Sequence, residues 1–251
     1  MVICIYLQSK GGTFMNHRRF LTILAAFVLL ETTGCTFSPA PSPDDSSSPA
    51  HSSAAPLVQE GPIRLYASQN SDGVYHHITV EDEKTGRSRG YDWQTVSSPG
   101  YEPLVYQTDL NEDGEAEAVV ITTRGYGTGT YITEPHIVDW NSTRELDVQD
   151  PLDYTRDQVS FSILHQEGKQ IVQARVPGQP AVALPVNTSH SAELPQFGSV
   201  IRYYVDDHNK LNAEVAAQMS DGVAVGTVIL QYGWQTGALR VEDIKLEAVA
   251  S

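Results

Sequence analysis

Apolar and polar residues alternate along much of the chain after residue 60, which is the pattern of half-buried β-strands. The alternating segments come in pairs, and residues that favour tight turns, such as Asp206, Asn209 and Gly237, separate the members of a pair. Four pairs are predicted to form antiparallel hairpins: 75–81 with 87–93, 160–164 with 170–176, 200–205 with 211–215, and 223–232 with 239–246.

One segment favours a short helix. Asp150 is a suitable N-cap, Pro151 suits the first helical position and Asp153 falls in the first turn, so a helix is predicted over residues 151–158. The sequence thus predicts a mainly β protein, either an antiparallel sandwich or a partial propeller-like stack of hairpins, with one short helix. No second break in composition divides residues 61–250, which we expect to form a single β-rich domain.

The amino terminus has the pattern of an export signal. A basic cluster at 17–19 precedes an apolar run at 20–30, which is too short for a membrane-spanning helix but suits the core of a signal peptide. We therefore predict that residues 1–34 are a signal peptide. Residues 1–14 place a mixed polar segment ahead of the basic cluster, so we hypothesise that translation starts at Met15.

A small residue, Gly34, stands directly before Cys35 at the end of this signal. The arrangement resembles the lipobox of bacterial lipoproteins. The resemblance implies cleavage before Cys35 and attachment of a diacylglycerol to its sulfur, which would anchor the protein to the outside of the bacterial cell membrane. The alternative is that Cys35 is a buried structural cysteine.

Residues 36–56 are nearly all Ser, Pro and Ala, and such a composition cannot bury enough apolar surface to offset the conformational entropy of folding. We predict that residues 35–60 comprise the lipidated cysteine and a disordered, extended linker that holds the domain away from the membrane.

The overall charge narrows the classes of partner. The chain has 16 Lys and Arg against 31 Asp and Glu, a formal net charge of −15. This excess of acidic residues argues against nucleic acid as a partner, because affinity for a phosphate backbone comes from basic side chains. Two cysteines are too few for a disulfide-rich scaffold. The expected partners are the membrane, through the lipid, and an envelope protein or glycan.

One loop carries candidate chemistry. Oxygen-bearing side chains stand at alternate positions, Asp109, Asn111 and Asp113, and Gly114 then permits a sharp turn. This spacing suits a hard cation such as Ca²⁺, with the backbone carbonyl of Glu115 and the carboxylate of Glu117 as further ligands. An EF-hand is excluded because its twelfth position would be a valine and a strand follows. The alternative is an acidic turn without a metal.

The loop resembles the D-x-N-x-D-G-x-x-E loop of FG-GAP and VCBS-type repeats, and this resemblance implies a calcium ion in a loop that leads into a β-strand. Residues 107–139, from the 108–114 loop through 119–121 to the 125–130 glycine-rich segment, also resemble a group of secreted or lipid-anchored proteins of Bacillus and Paenibacillus relatives. That group has no established activity, so the likeness bears on location and fold.

Other motifs are less specific. Gly125, Gly127 and Gly129 are predicted to form a positive-φ hairpin connection, because a phosphate-binding loop would need a lysine and a following helix. The eight histidines show no metal-binding spacing, so packing or surface roles are expected.

Two functions are therefore considered. The leading one is a lipid-anchored envelope protein with a calcium-stabilised β domain that binds a partner and has no enzymatic activity. The alternative is an extracytoplasmic hydrolase that uses paired carboxylates, such as Asp92, Asp109 or Glu117, at the edge of a pocket.

Overall fold

A computed structural model describes residues 55–142, 144–167, 169–186 and 193–249. The predicted signal peptide, the alternative start at Met15, the lipidation site at Cys35 and the linker up to residue 54 lie outside the described residues. The last part of the predicted linker does form structure, because strand β1 covers Val58–Glu60. Leu57 and Val58 pack against buried side chains, which explains why this end of the predicted linker belongs to the folded domain.

The described residues contain one helix, α1 (Pro151–Gln158), and fifteen strands. After β1, the strands are β2 (Ile63–Ser71), β3 (Val74–Asp82), β4 (Arg87–Val96), β5 (Leu104–Thr108), β6 (Glu117–Gly127), β7 (Thr130–Asp139), β8 (Arg144–Glu145), β9 (Ser160–Gln166), β10 (Lys169–Arg175), β11 (Val182–Leu184), β12 (Val200–Val205), β13 (Leu211–Gln218), β14 (Ala224–Gln235) and β15 (Ala238–Ala248). The prediction of a mainly β protein with one short helix is confirmed.

All four predicted hairpins are present as antiparallel pairs: β3 with β4, β9 with β10, β12 with β13, and β14 with β15. The helix also begins as predicted. The Asp150 side chain accepts a hydrogen bond from the backbone N–H of Asp153 at 2.8 Å, and Pro151 occupies the first turn. The alternation of apolar and polar residues, together with the residues at turns and at the helix N-cap, therefore determines these hairpins and the helix.

The strands form three sheets. A four-stranded sheet has the order β1-β2-β3-β4, and a three-stranded sheet has the order β11-β10-β9. The largest sheet has the order β15-β14-β13-β12-β7-β6-β5, with β8 paired to β7. Its β12 and β7 strands pair in parallel, through Val200 with Tyr131 and Ile201 with Ile132, whereas its other pairs are antiparallel. These three open sheets agree with the predicted sandwich or stack of hairpins.

Strand β6 lies between two hydrophobic cores. Ala118 and Val120 belong to a smaller core that includes side chains from β2, β3 and β4. Val119 and Ile121 belong to a larger core, which includes side chains from β10 and β12–β15. Because successive side chains of a strand point to opposite faces, this division means that β6 is covered on both faces. The apolar run at 118–121 reflects that position.

The described part of the chain has no helix that is both long enough and apolar enough to cross a membrane.

Candidate metal-binding loop

The predicted calcium ligands lie in and at the end of the loop that joins β5 to β6. Thr108 and Glu117 are paired across this hairpin, so residues 109–116 form the connection. Two loop residues have positive φ, Glu112 at 61° and Gly114 at 92°. The left-handed conformation at Gly114 is the sharp turn that the sequence predicted, and glycine adopts it without steric cost.

The loop brings three carboxylates together. One carboxylate oxygen from each of Asp109, Asp113 and Glu117 lies within 4.8 Å of the other two. Asp109 and Asp113 are exposed, whereas the Glu117 residue is only 1% exposed. Three oxygen ligands at this spacing can hold a metal ion, and all three were identified from the sequence.

Backbone N–H groups hold these carboxylates in place. Asp109 accepts hydrogen bonds from the N–H of Asp113 at 3.1 Å and of Gly114 at 2.9 Å. Glu117 Oε2 accepts from the N–H of Leu110 at 2.7 Å and of Asn111 at 3.3 Å. The chain therefore curls around its own acidic side chains, and the carboxylate positions are largely set by the backbone.

The other two predicted ligands have different surroundings. Asn111 Oδ1 accepts from the N–H of Asp113 at 2.9 Å, and its Nδ2 donates to Asp113 Oδ2 at 3.3 Å. Glu115 is exposed, and its N–H donates to Asp113 Oδ1 at 2.9 Å. Both residues thus help to position Asp113, and direct coordination by Asn111 and by the carbonyl of Glu115 stays a prediction.

The electrostatics differ between exposed and buried members of the cluster. Burial raises the pKa of the Glu117 carboxyl to about 7, although the N–H groups of Leu110 and Asn111 favour its ionised form. The negative charges of Asp113 and Asp109 raise the pKa of Glu117 further. In contrast, hydrogen bonds from the Glu115 N–H and from Asn141 lower the pKa of Asp113. A cation among the three oxygens would relieve both the burial of charge and the mutual repulsion.

Turns from two other hairpins contact the loop. Asn141, between β7 and β8, donates from Nδ2 to Asp113 Oδ2 at 3.0 Å. Lys210, before β13, has its Nζ 3.8 Å from Glu112 Oε1. The sequence pattern did not indicate Asn141, because nothing local to residue 141 shows that it lies beside a loop that ends at residue 117.

Asp92, which was grouped with Asp109 and Glu117 in the hydrolase hypothesis, is not a member of the cluster. Its side chain is 85% exposed on β4, and its Oδ1 lies 3.1 Å from His77 Nδ1. Asp109 and Glu117 instead converge on one point with Asp113, in an arrangement that could hold a metal ion. The hydrolase alternative stays a prediction.

A second polar cluster lies between the sheets and was not identified from the sequence. His136 on β7 is buried, and its ring stacks on that of Trp93 with centroids 4.1 Å apart. Glu145 bridges the two residues, with Oε1 2.7 Å from His136 Nδ1 and Oε2 accepting from Trp93 Nε1 at 3.0 Å. The sequence contained no motif that indicated this cluster, because Trp93, His136 and Glu145 are too far apart in the chain to form one.

Of the glycine-rich segment, Gly129 lies in the β6–β7 turn with the positive φ that was predicted. The prediction of a positive-φ connection is wrong for Gly125 and Gly127, because both belong to strand β6 and neither has a positive φ. Gly129 has a φ of +69° and lies against Gly222 in the turn before β14. Tyr126 is exposed and stacks on Tyr101 with ring centroids 4.0 Å apart.

Comparison of the chain with protein-family models, with curated proteins and with solved structures finds no match.

Proposed function

We propose that this chain is a lipid-anchored, extracytoplasmic protein whose β domain is stabilised by a calcium ion in the loop at 109–117 and acts as a non-enzymatic binding module of the cell envelope. The location rests on the signal-like residues 1–34 and on Cys35. The binding role rests on the absence of a recognisable nucleophile motif in the sequence, and an envelope protein or glycan is the proposed partner.

The observation that carries the calcium proposal is the convergence of three carboxylates, one of them buried. A buried carboxylate beside two others is costly unless a positive charge compensates it. Among the described residues, no salt bridge joins a basic side chain to these three carboxylates, and the ion pair of this loop is that of Lys210 with the exposed Glu112. A cation would supply the missing charge.

Calcium suits this donor set better than softer metals do. All the proposed ligands are oxygens, which hard cations prefer, and the loop offers no thiolate or imidazole. Calcium accepts six to eight oxygen ligands in a flexible geometry, so water can complete its coordination. An extracellular protein also meets millimolar calcium, which is enough to fill a site of modest affinity.

The proposed ion has a structural effect because of where the loop lies. Glu117 is the first residue of β6, and β6 is buried between the two hydrophobic cores. Calcium bound in the loop would fix the start of this strand. Because the ion binds the folded loop, its binding free energy adds to the stability of the domain.

Thermal unfolding of the full-length protein tests the proposal. At a calcium concentration about 100 times Kd, binding adds about 2.7 kcal/mol to stability. This corresponds to a rise in Tm of roughly 5–10 °C for a domain of this size, and EGTA should abolish it. Asp113→Asn should remove most of the calcium response. Asp157→Asn, which makes the same change of charge on the exposed face of α1, should retain it.

Equal melting temperatures in calcium and in EGTA would show that residues 109–117 form an ordinary acidic turn. A response to magnesium as large as the response to calcium would leave a cation site but reject calcium as its specific ligand.

A further inference from the structure

An open groove of about 560 Å³ lies where the parallel strands β7 and β12 separate. The two strands pair only at Tyr131 with Val200 and at Ile132 with Ile201. At the next residue of β7, the side chain of Thr133 bonds to the backbone of β12. Its Oγ1 donates to the carbonyl of Ile201 at 3.3 Å and accepts from the N–H of Tyr203 at 2.8 Å. Residues 145–148, 150 and 151 also line the groove.

The lining of this groove combines apolar walls with an excess of negative charge. Its carboxylates are Glu134, Glu145, Asp147 and Asp150. Arg124 is the one basic side chain among the described lining residues, and its guanidinium is already 2.9 Å from the carboxylate of Glu134. The apolar part of the lining comes from Ile132, Pro135, Leu146, Val148, Pro151 and Ile201.

Glu145 is the most strongly positioned of these carboxylates. Its two oxygens are hydrogen-bonded to side chains that are each more than nine-tenths buried. Oε2 lies 3.0 Å from Trp93 Nε1, and Oε1 lies 2.7 Å from His136 Nδ1. Thr122 Oγ1 lies 3.3 Å from the other ring nitrogen of His136, which orients the imidazole in turn. The Glu145 side chain is 39% exposed, so a fixed carboxylate faces accessible space. Such support from neighbouring side chains is the arrangement by which proteins preorganise a binding group.

We propose that this groove binds a small organic cation, an ammonium or guanidinium group carried on a short apolar chain, with Glu145 as its principal counter-ion. The volume lies within the range of about 300–1,000 Å³ that is usual for small-molecule sites. The apolar walls suit the chain of the ligand, and the carboxylates suit its charged end. The net charge of −15 favours the approach of cations and opposes that of anions. This site shares no residue with the loop at 109–117.

Isothermal titration of the full-length protein with agmatine tests the proposal, because agmatine joins a guanidinium group to an ammonium group through a butylene chain. The titration is performed in saturating calcium, so that the loop at 109–117 cannot take up the ligand. Saturable binding is expected at millimolar agmatine or below. The neutral analogue 1,5-pentanediol, which has a chain of similar length, should give no saturable heat.

Three variants assign the binding to the groove. Glu145→Gln should weaken the affinity for agmatine about tenfold, since it removes one charge-assisted hydrogen bond. Asp147→Asn should weaken it about threefold, as expected for an exposed carboxylate near the ligand. Glu247→Gln is the matched control, because it removes the same charge from an exposed position on β15, and it should bind agmatine as the wild type does.

The proposal is overturned if agmatine shows no saturable binding, if pentanediol binds equally well, or if the Glu145 and Glu247 variants have the same affinity. Glu145 also bonds to buried groups, so its variant could unfold, and circular dichroism would detect this. In that case the Asp147→Asn variant is the deciding test. The side chain of Asp147 is exposed, so the loss of its charge should leave the fold intact. An affinity for agmatine equal to that of the wild type would refute the site.

Discussion

The substitution Glu117→Gln separates two effects of one buried carboxylate. Without calcium, the charge of Glu117 destabilises the folded state, because it is buried beside Asp109 and Asp113. With calcium, the same charge is a ligand. We therefore expect the glutamine variant to be more stable than the wild type in the metal-free protein at alkaline pH, and to lose its stabilisation by calcium.

The raised pKa of Glu117 gives the size of the first effect. Burial raises this pKa from 4.5 to about 7, so the metal-free folded state holds the proton more tightly than the unfolded state. Stability from a raised carboxyl pKa is fully present below the unfolded value of 4.5 and is lost as the pH rises through about 7. The complete loss amounts to about 3 kcal/mol. Between about pH 5 and about pH 8, the wild type should lose about 2.5 kcal/mol relative to the variant.

Urea unfolding of both proteins, after dialysis free of divalent cations, measures this difference at each pH. Comparison with the variant cancels the contributions of the titrating groups that do not interact with Glu117, because they are common to both chains. A difference in free energy of unfolding that stays constant across this pH range would refute the assignment of Glu117 as a buried, poorly compensated charge. Addition of calcium at alkaline pH should then stabilise the wild type alone.

Three further predictions concern other parts of the molecule. Cys35→Ser should move the protein from the membrane fraction to the soluble fraction of the producing cells, and an unchanged distribution would reject the lipid anchor. His136→Ala should lower the free energy of unfolding by about 3 kcal/mol, measured in urea, because it removes a buried ring and leaves Glu145 Oε1 without its partner, while Trp93 still donates to Oε2. Gly129→Ala should cost about 1–2 kcal/mol because of its positive φ, whereas Gly127→Ala, in open space, should cost less; equal costs would count against the turn geometry.

The sequence was sufficient to predict those structural features that depend on residues close together in the chain. The hairpins β9–β10 and β12–β13 follow from alternation and an intervening turn, and helix α1 follows from Asp150 and Pro151. The three clustered carboxylates could also be named, because a loop that curls back on itself brings side chains that are four positions apart to one point. In each case, the information lies within about a dozen residues of the element it determines.

Features that join distant segments could not be predicted in the same way. The parallel pairing of β7 with β12 connects Ile132 to Ile201, and no local pattern specifies which strands become neighbours. The contact of Trp93 with His136 and Glu145 likewise depends on how one sheet lies against another. A single sequence shows that these residues are present, but tertiary packing decides that they meet.

The β6–β7 hairpin supports both candidate sites, for the same physical reason. Glu117 begins β6, and His136, which orients Glu145, is paired with Val120 of β6 across the hairpin. Because hydrophobic cores cover both faces of β6, its position is fixed by packing on each side, and side chains anchored to it have little freedom to move. A carboxylate held in this way can remain close to others of like charge while the metal is absent. The same rigidity that makes Glu117 costly in the metal-free protein therefore keeps it in position to bind a cation.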